Sequence, residues 1–201
     1  MSPVTAPLAA APLAAAPLAA APLAAAPLAA ASLAATLLVG CAHDRPQPPP
    51  DVPPTLQAPA GQKLTRMLHG TGVQIYQCTA GSQSPPRYGW VLQAPAADLS
   101  DRSGKDIGRH YEGPTWEAYD GSKVVGEVVA HIDAPGGKAI PWLLVQAKSN
   151  SGKGVFAKVQ SIQRLHTIGG LAPQSACDAA HGGQRTRVAY SADYYFYSGR
   201  R

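Results

Sequence analysis

The densest set of reactive side chains in the chain is Gly108-Arg-His-Tyr-Glu-Gly-Pro-Thr-Trp-Glu117. It brings an imidazole, a phenol and two carboxylates into one short stretch. On an extended strand successive side chains alternate between faces, so His110 and Glu112 point the same way. Such a pair could ligate a metal or work as acid and base. A metal site needs three or four ligands, so His131 with Asp133, or His166, would have to complete it from elsewhere. The structural alternative has His110 and Tyr111 hydrogen-bonding locally while Trp116 fills the core. No catalytic residue is assigned, no cofactor is predicted, and metal binding stays open.

Aromatic residues give the second chemical signal. Trp90, Trp116, Trp142 and the run Tyr190-Ser-Ala-Asp-Tyr-Tyr-Phe-Tyr197 could line a groove for a sugar or another planar ligand, or could simply be core. The candidate ligand-binding set is therefore His110, Tyr111, Glu112, Trp116, Glu117 and Trp142. Gly152-Lys-Gly-Val-Phe-Ala157 matches G-x-G-x-x-A, but a dinucleotide site also needs a βαβ unit and a later acidic residue, and neither is visible. No P-loop, G-x-S-x-G or H-E-x-x-H pattern occurs.

These residues sit among short runs with strand character. Val73–Cys78, Tyr88–Gln93, Thr115–Tyr119, Lys123–Ile132 and Ile140–Ala147 are rich in aromatic and β-branched residues. Asp120-Gly-Ser122 predicts a hairpin, because glycine supplies the positive φ that a tight turn requires. In the last run Val188, Tyr190, Ala192, Tyr194 and Phe196 share one face, with Ser191, Asp193, Tyr195 and Tyr197 on the other. Only Val159 to Ile168 also fits helical spacing. Seven to nine strands predict an all-β fold, a single antiparallel β-sandwich or partly open β-barrel.

Ahead of these runs the composition changes. Residues 1–40 contain no Asp, Glu, Lys or Arg, and Ala-Pro-Leu-Ala-Ala repeats through Pro7, Pro12, Pro17, Pro22 and Pro27. Proline removes a backbone donor and clashes with the preceding turn, so no regular helix runs through the repeat. An unbroken apolar run from Leu28 then leads to Leu38-Val-Gly-Cys41. That ending resembles the lipobox cut by the lipoprotein signal peptidase. The resemblance implies a signal peptide over 1–40, a lipid on Cys41, and a cell-envelope protein anchored to the outer membrane and facing the periplasm. The leader lacks the positive charge that usually opens a signal peptide. Residues 41–54 form a Pro-rich linker and 55–199 the β-rich domain.

Two further cysteines, Cys78 and Cys177, allow one intramolecular pairing in an exported domain. Closing a loop of about 100 residues contributes roughly 4–5 kcal/mol in the chain-entropy model. The net charge of +5 lies wholly after residue 40, yet the basic residues form no stripe, and nucleic acid is not a predicted partner.

Taken in order, Gly72-Val-Gln-Ile-Tyr-Gln-Cys78, His110-Tyr-Glu-Gly-Pro-Thr-Trp-Glu117, Asp120-Gly-Ser122, Ile140-Pro-Trp-Leu-Leu144, Thr167-Ile-Gly-Gly170, Cys177-Asp178 and Tyr190–Tyr197 resemble a domain-of-unknown-function family of secreted bacterial and fungal proteins. The resemblance implies export and a shared fold, and it agrees with a Cys78–Cys177 disulfide. Some fungal members carry a malate dehydrogenase label, which this sequence does not support. Three readings follow. The first is an envelope lipoprotein whose β-domain binds a small molecule, a glycan or an envelope protein. The second is an extracytoplasmic, metal-assisted enzyme built on the His110–Glu117 cluster. The third is a structural envelope component.

Overall fold

The computed structural model describes residues 48–199. Cys41 and the leader lie outside these residues. Eight strands form one antiparallel sheet: β1 (Gln62–Ala80), β2 (Tyr88–Ser100), β3 (Asp106–Tyr111), β4 (Thr115–Ala118), β5 (Lys123–Ile132), β6 (Trp142–Ser151), β7 (Val159–Gly169) and β8 (Arg185–Gly199). Each strand pairs with the next, and the long β1 also pairs with β8, so the sheet closes into a ring. The all-β antiparallel expectation holds, with the strand number inside the predicted range. The stretch that also fitted a helix is strand β7, bulged where it pairs with β8.

Alternation along each strand sorts side chains into an interior and an outer cluster. Tyr190, Ala192, Tyr194 and Phe196 of β8 join Leu68, Leu99, Trp116, Val145 and Ile162 in the interior. Tyr195 and Tyr197 point outward and pack with Leu144 and Leu165. That outer cluster is covered by the chain ahead of β1. Val52 and Leu56, the latter in a 3-10 turn at Pro54–Leu56, are buried there. Gln163 Nε2 donates to the Leu56 carbonyl at 2.6 Å, and the Tyr197 hydroxyl donates to Gln163 Oε1 at 2.7 Å. Gly70 is required by packing, because a Cβ there would lie 2.6 Å from the Tyr194 ring inside the barrel.

The ends of the ring are tied by loops. The Asp120-Gly-Ser122 turn joins β4 to β5 as predicted, with Gly121 at φ 81°. Asp120 Oδ2 accepts from the Val155 amide at 2.9 Å and the Ser122 hydroxyl from the Phe156 amide at 3.0 Å. These bonds fold the β6–β7 loop over the barrel end, where Phe156 is fully buried beside Phe196. Gly152–Ala157 is thus a loop between antiparallel strands, not the strand–helix turn of a dinucleotide site. Cys78 and Cys177 form the predicted disulfide, linking β1 to the long β7–β8 loop. The Trp90 indole donates to the Ser175 carbonyl of the same loop at 3.0 Å.

The wall of the ring has a gap beside the β3–β4 hairpin. β2 pairs with β3 only through Ala97–Ser100, and β4 pairs with β5 only through Lys123–Val125. The β3–β4 hairpin is therefore too short to fill the wall. Residues 88–96 of β2 and 126–132 of β5 run on with no strand between them. Pro95 sits on that free edge, where its missing N–H breaks no ladder bond.

Candidate functional site

Behind the gap lies a cavity of about 470 Å3. Its mouth is made of residues at the free edges and the hairpin turn: Leu92, Gln93, Ala94 and Pro95 of β2, Glu112 to Pro114, and Val128 of β5. Leu92 and Val128 are exposed there, as are their neighbours Val91 and Val129. The inner lining comes from buried residues, namely Gln74, His110, Trp116, Val145 and Tyr194, with Leu143 and Arg164 beside them. Most of these inner side chains are apolar or aromatic, and the few polar groups among them converge from four strands. That is the composition of a small-molecule pocket.

Each polar group in the lining has a defined environment. The fully interior His110 stacks on Trp116 at a centroid distance of 4.3 Å and meets Tyr194 edge-on at 5.1 Å. Its Nδ1 lies 2.8 Å from the Thr115 carbonyl and donates to it, which leaves Nε2 as an acceptor. Burial pushes its pKa down to about 3, so the imidazole is neutral. The Tyr190 and Tyr194 hydroxyls bond each other at 3.1 Å, and burial raises both pKa values, holding them protonated. Gln74 is 1% exposed, and neither its amide nitrogen nor its carbonyl oxygen has a hydrogen-bond partner among the described residues. The Trp116 indole nitrogen is likewise unpartnered. Such orphans are rare in folded proteins, because each carries a desolvation cost of about 1–3 kcal/mol.

Arg164 is the cation of the cavity. It points inward from β7, between Tyr194 of β8 and Leu143 of β6 in the register. Its Nε and Nη2 both donate to one acceptor, the Pro141 carbonyl, at 3.2 and 2.8 Å. The Tyr194 phenol approaches it most closely, Tyr190, Tyr76 and His110 lie within electrostatic reach, and burial lowers its pKa. No carboxylate lies within ion-pairing distance of it among the described residues.

The residues singled out from sequence divide between places. His110, Glu112 and Trp116 line the cavity. Tyr111 and Glu117 alternate to the outside, where the Tyr111 hydroxyl donates to Glu117 Oε2 at 2.5 Å and Lys123 approaches within 3.4 Å. The Tyr111 hydrogen bond and the Lys123 ammonium hold the Glu117 carboxyl below its usual range. Trp142 belongs to the outer cluster, edge-on to His166 at 5.4 Å. His166 and His69 both contact Asp193 there, each at 2.9 Å. His131 and Asp133 are exposed near the end of β5. The His110–Glu112 pair and its proposed completing ligands therefore do not converge. Among the described residues no group of three or more His, Cys, Asp or Glu side chains is placed to hold a metal ion.

Sequence reasoning missed Gln74 and Arg164 as site residues, and it held Tyr194 only within the aromatic run that could line a groove. The first two carried a readable signal. Gln74 is in phase with Leu68, Gly70, Gly72, Tyr76 and Cys78, a stretch of β1 in which it is the one amide. Arg164 is in strand phase with Ile162, which puts a charge on the inward face.

A family model described as protein of unknown function (DUF3455) matches residues 59–198, which contain the whole ring of strands except its last residue. The chain belongs to this family, as its ordered motifs implied. No curated protein and no solved structure matches it.

Proposed function

We propose that this member of the DUF3455 family is a non-enzymatic binding protein that holds a small amphipathic molecule inside its β-barrel, entering through the gap above the β3–β4 hairpin. The observation that carries this reading is the cavity itself. A void of about 470 Å3 is large enough for an organic ligand and combines apolar walls with the unpartnered amide of Gln74. A domain selected only for stability gains by filling such a space, since lost packing and orphaned polar groups both destabilise it. The exposed Leu92 and Val128 at the mouth give an apolar ligand an apolar approach.

The setting proposed for this activity is the cell envelope, with the domain tethered by lipid on Cys41 through the proline-rich linker. The Leu-Val-Gly-Cys41 ending and the Cys78–Cys177 disulfide support that reading.

The binding claim is tested with N-phenyl-1-naphthylamine, a neutral dye that fluoresces in apolar surroundings. The purified protein is expected to enhance and blue-shift its emission with saturation at one equivalent. Emission that stays at the level of buffer, or rises without saturating, refutes an internal binding site.

A further inference from the structure

The charge arrangement of the cavity goes further than its shape. Arg164 is half-buried on the cavity wall, and its guanidinium keeps its charge, because arginine does not lose its proton at accessible pH. Taking such a charge out of water is unfavourable unless something compensates it. Folded proteins ordinarily supply a carboxylate, and here Arg164 has only a carbonyl and tyrosine hydroxyls. Its Nη1 amino group makes no hydrogen bond to any carbonyl or carboxylate among the described residues. The three tyrosines beside it are protonated and neutral, and His110 is neutral as well. Among the described residues the inner cavity thus holds one cation, Arg164, with no carboxylate within ion-pairing distance.

On this basis, and resting on the reading of the cavity as a ligand site, we infer that the ligand is an organic monoanion. Its carboxylate pairs with Arg164 and its apolar body lies toward Leu92 and Val128. Three features select this class. The planar guanidinium fork matches a carboxylate, and charge-assisted bonds are the stronger kind. Between Arg164 and the mouth the lining includes Leu143, Val145, Trp116, Leu92 and Val128, which suits an apolar body for the rest of the molecule. Glu112 stands at the mouth, exposed and negative, where it disfavours a second anionic group on the outer end. A neutral lipid leaves Arg164 uncompensated, and an amine meets it with like charge.

The test compares ligands matched in shape and different in charge, displacing N-phenyl-1-naphthylamine from the purified protein. One series is decanoate, decanol and decylamine; the other is 2-naphthoate, 2-naphthalenemethanol and 2-naphthylmethylamine. The carboxylate of at least one series is expected to bind tenfold or more tightly than its alcohol, with the amine weakest. The series that shows the preference tells an alkyl acid from an aromatic one. Arg164→Met is expected to lower carboxylate affinity at least tenfold and alcohol affinity less than threefold. Arg164→Lys, which keeps the charge and loses the fork, is expected to fall between. Circular dichroism checks the fold of each variant. If Arg164→Met does not fold, the charge series on the unaltered protein decides alone. Equal binding of acid and alcohol in both series, with the dye still bound, overturns the anion inference and leaves the cavity reading intact. Failure of the dye itself to bind overturns both.

Discussion

At the scale of single residues, the interior of this barrel is polar where a core would be apolar. His110, Gln74 and Arg164 all occupy inward positions, and each is held in a state that costs stability. His110 gives the most direct thermodynamic reading. Its folded pKa lies near 3, below the ordinary 6.5, so the folded state stays neutral while the unfolded chain takes up a proton. The associated stability is fully present above pH 6.5 and is lost as pH falls from there toward 3. Between pH 7 and pH 5 the loss amounts to about 2 kcal/mol. Urea unfolding at the two pH values should show this difference, and His110→Gln should abolish most of it. A His110→Gln protein with an unchanged pH slope would mean that the histidine is not protected from protonation. Nothing in the sequence distinguished His110 from Tyr111 or Glu117 as the interior member of the cluster. Alternation predicted two faces, but which face was inside depended on strands far away in the chain.

At the scale of elements, legibility followed locality. The Asp120-Gly-Ser122 hairpin and the two faces of β8 were readable because a turn and a strand advertise themselves within a few residues. The helix-or-strand ambiguity of β7 was real, since its bulges against β8 break strict alternation. The gap was not readable at all. It arises because β3 and β4 are 6 and 4 residues long while β2 and β5 are 13 and 10. Strand lengths of that kind are set by pairing partners and not by the residues of any one strand. The same holds for the Trp142 side chain, which the pattern could not assign to the inner or the outer face of β6. The tether is the other element with a testable role. If Cys41 carries the lipid, Cys41→Ser should move the protein from the membrane fraction to the soluble fraction of the envelope. Retention of Cys41→Ser in the membrane fraction would refute lipid anchoring at this residue.

At the scale of the whole molecule, the short β3–β4 hairpin leaves an opening in the ring of strands, and the unpaired side-chain atoms of Gln74 and Trp116 lie behind it, while the unpaired Trp142 indole nitrogen belongs to the outer cluster. The disulfide holds β1 to the β7–β8 loop across 99 residues, which restrains the unfolded chain and helps to offset the cost of a hollow interior. The central claim is that ligand enters this interior and not the outer aromatic cluster. Two tryptophans report on the two places: Trp116 lines the cavity, and Trp142 sits among the outer residues with His166. Fluorine NMR of protein labelled with 5-fluorotryptophan, followed during titration with N-phenyl-1-naphthylamine, separates them in one experiment. The account predicts that the Trp116 resonance shifts with saturation while those of Trp142 and Trp90 stay in place. A shift at Trp142 with Trp116 unmoved would contradict it.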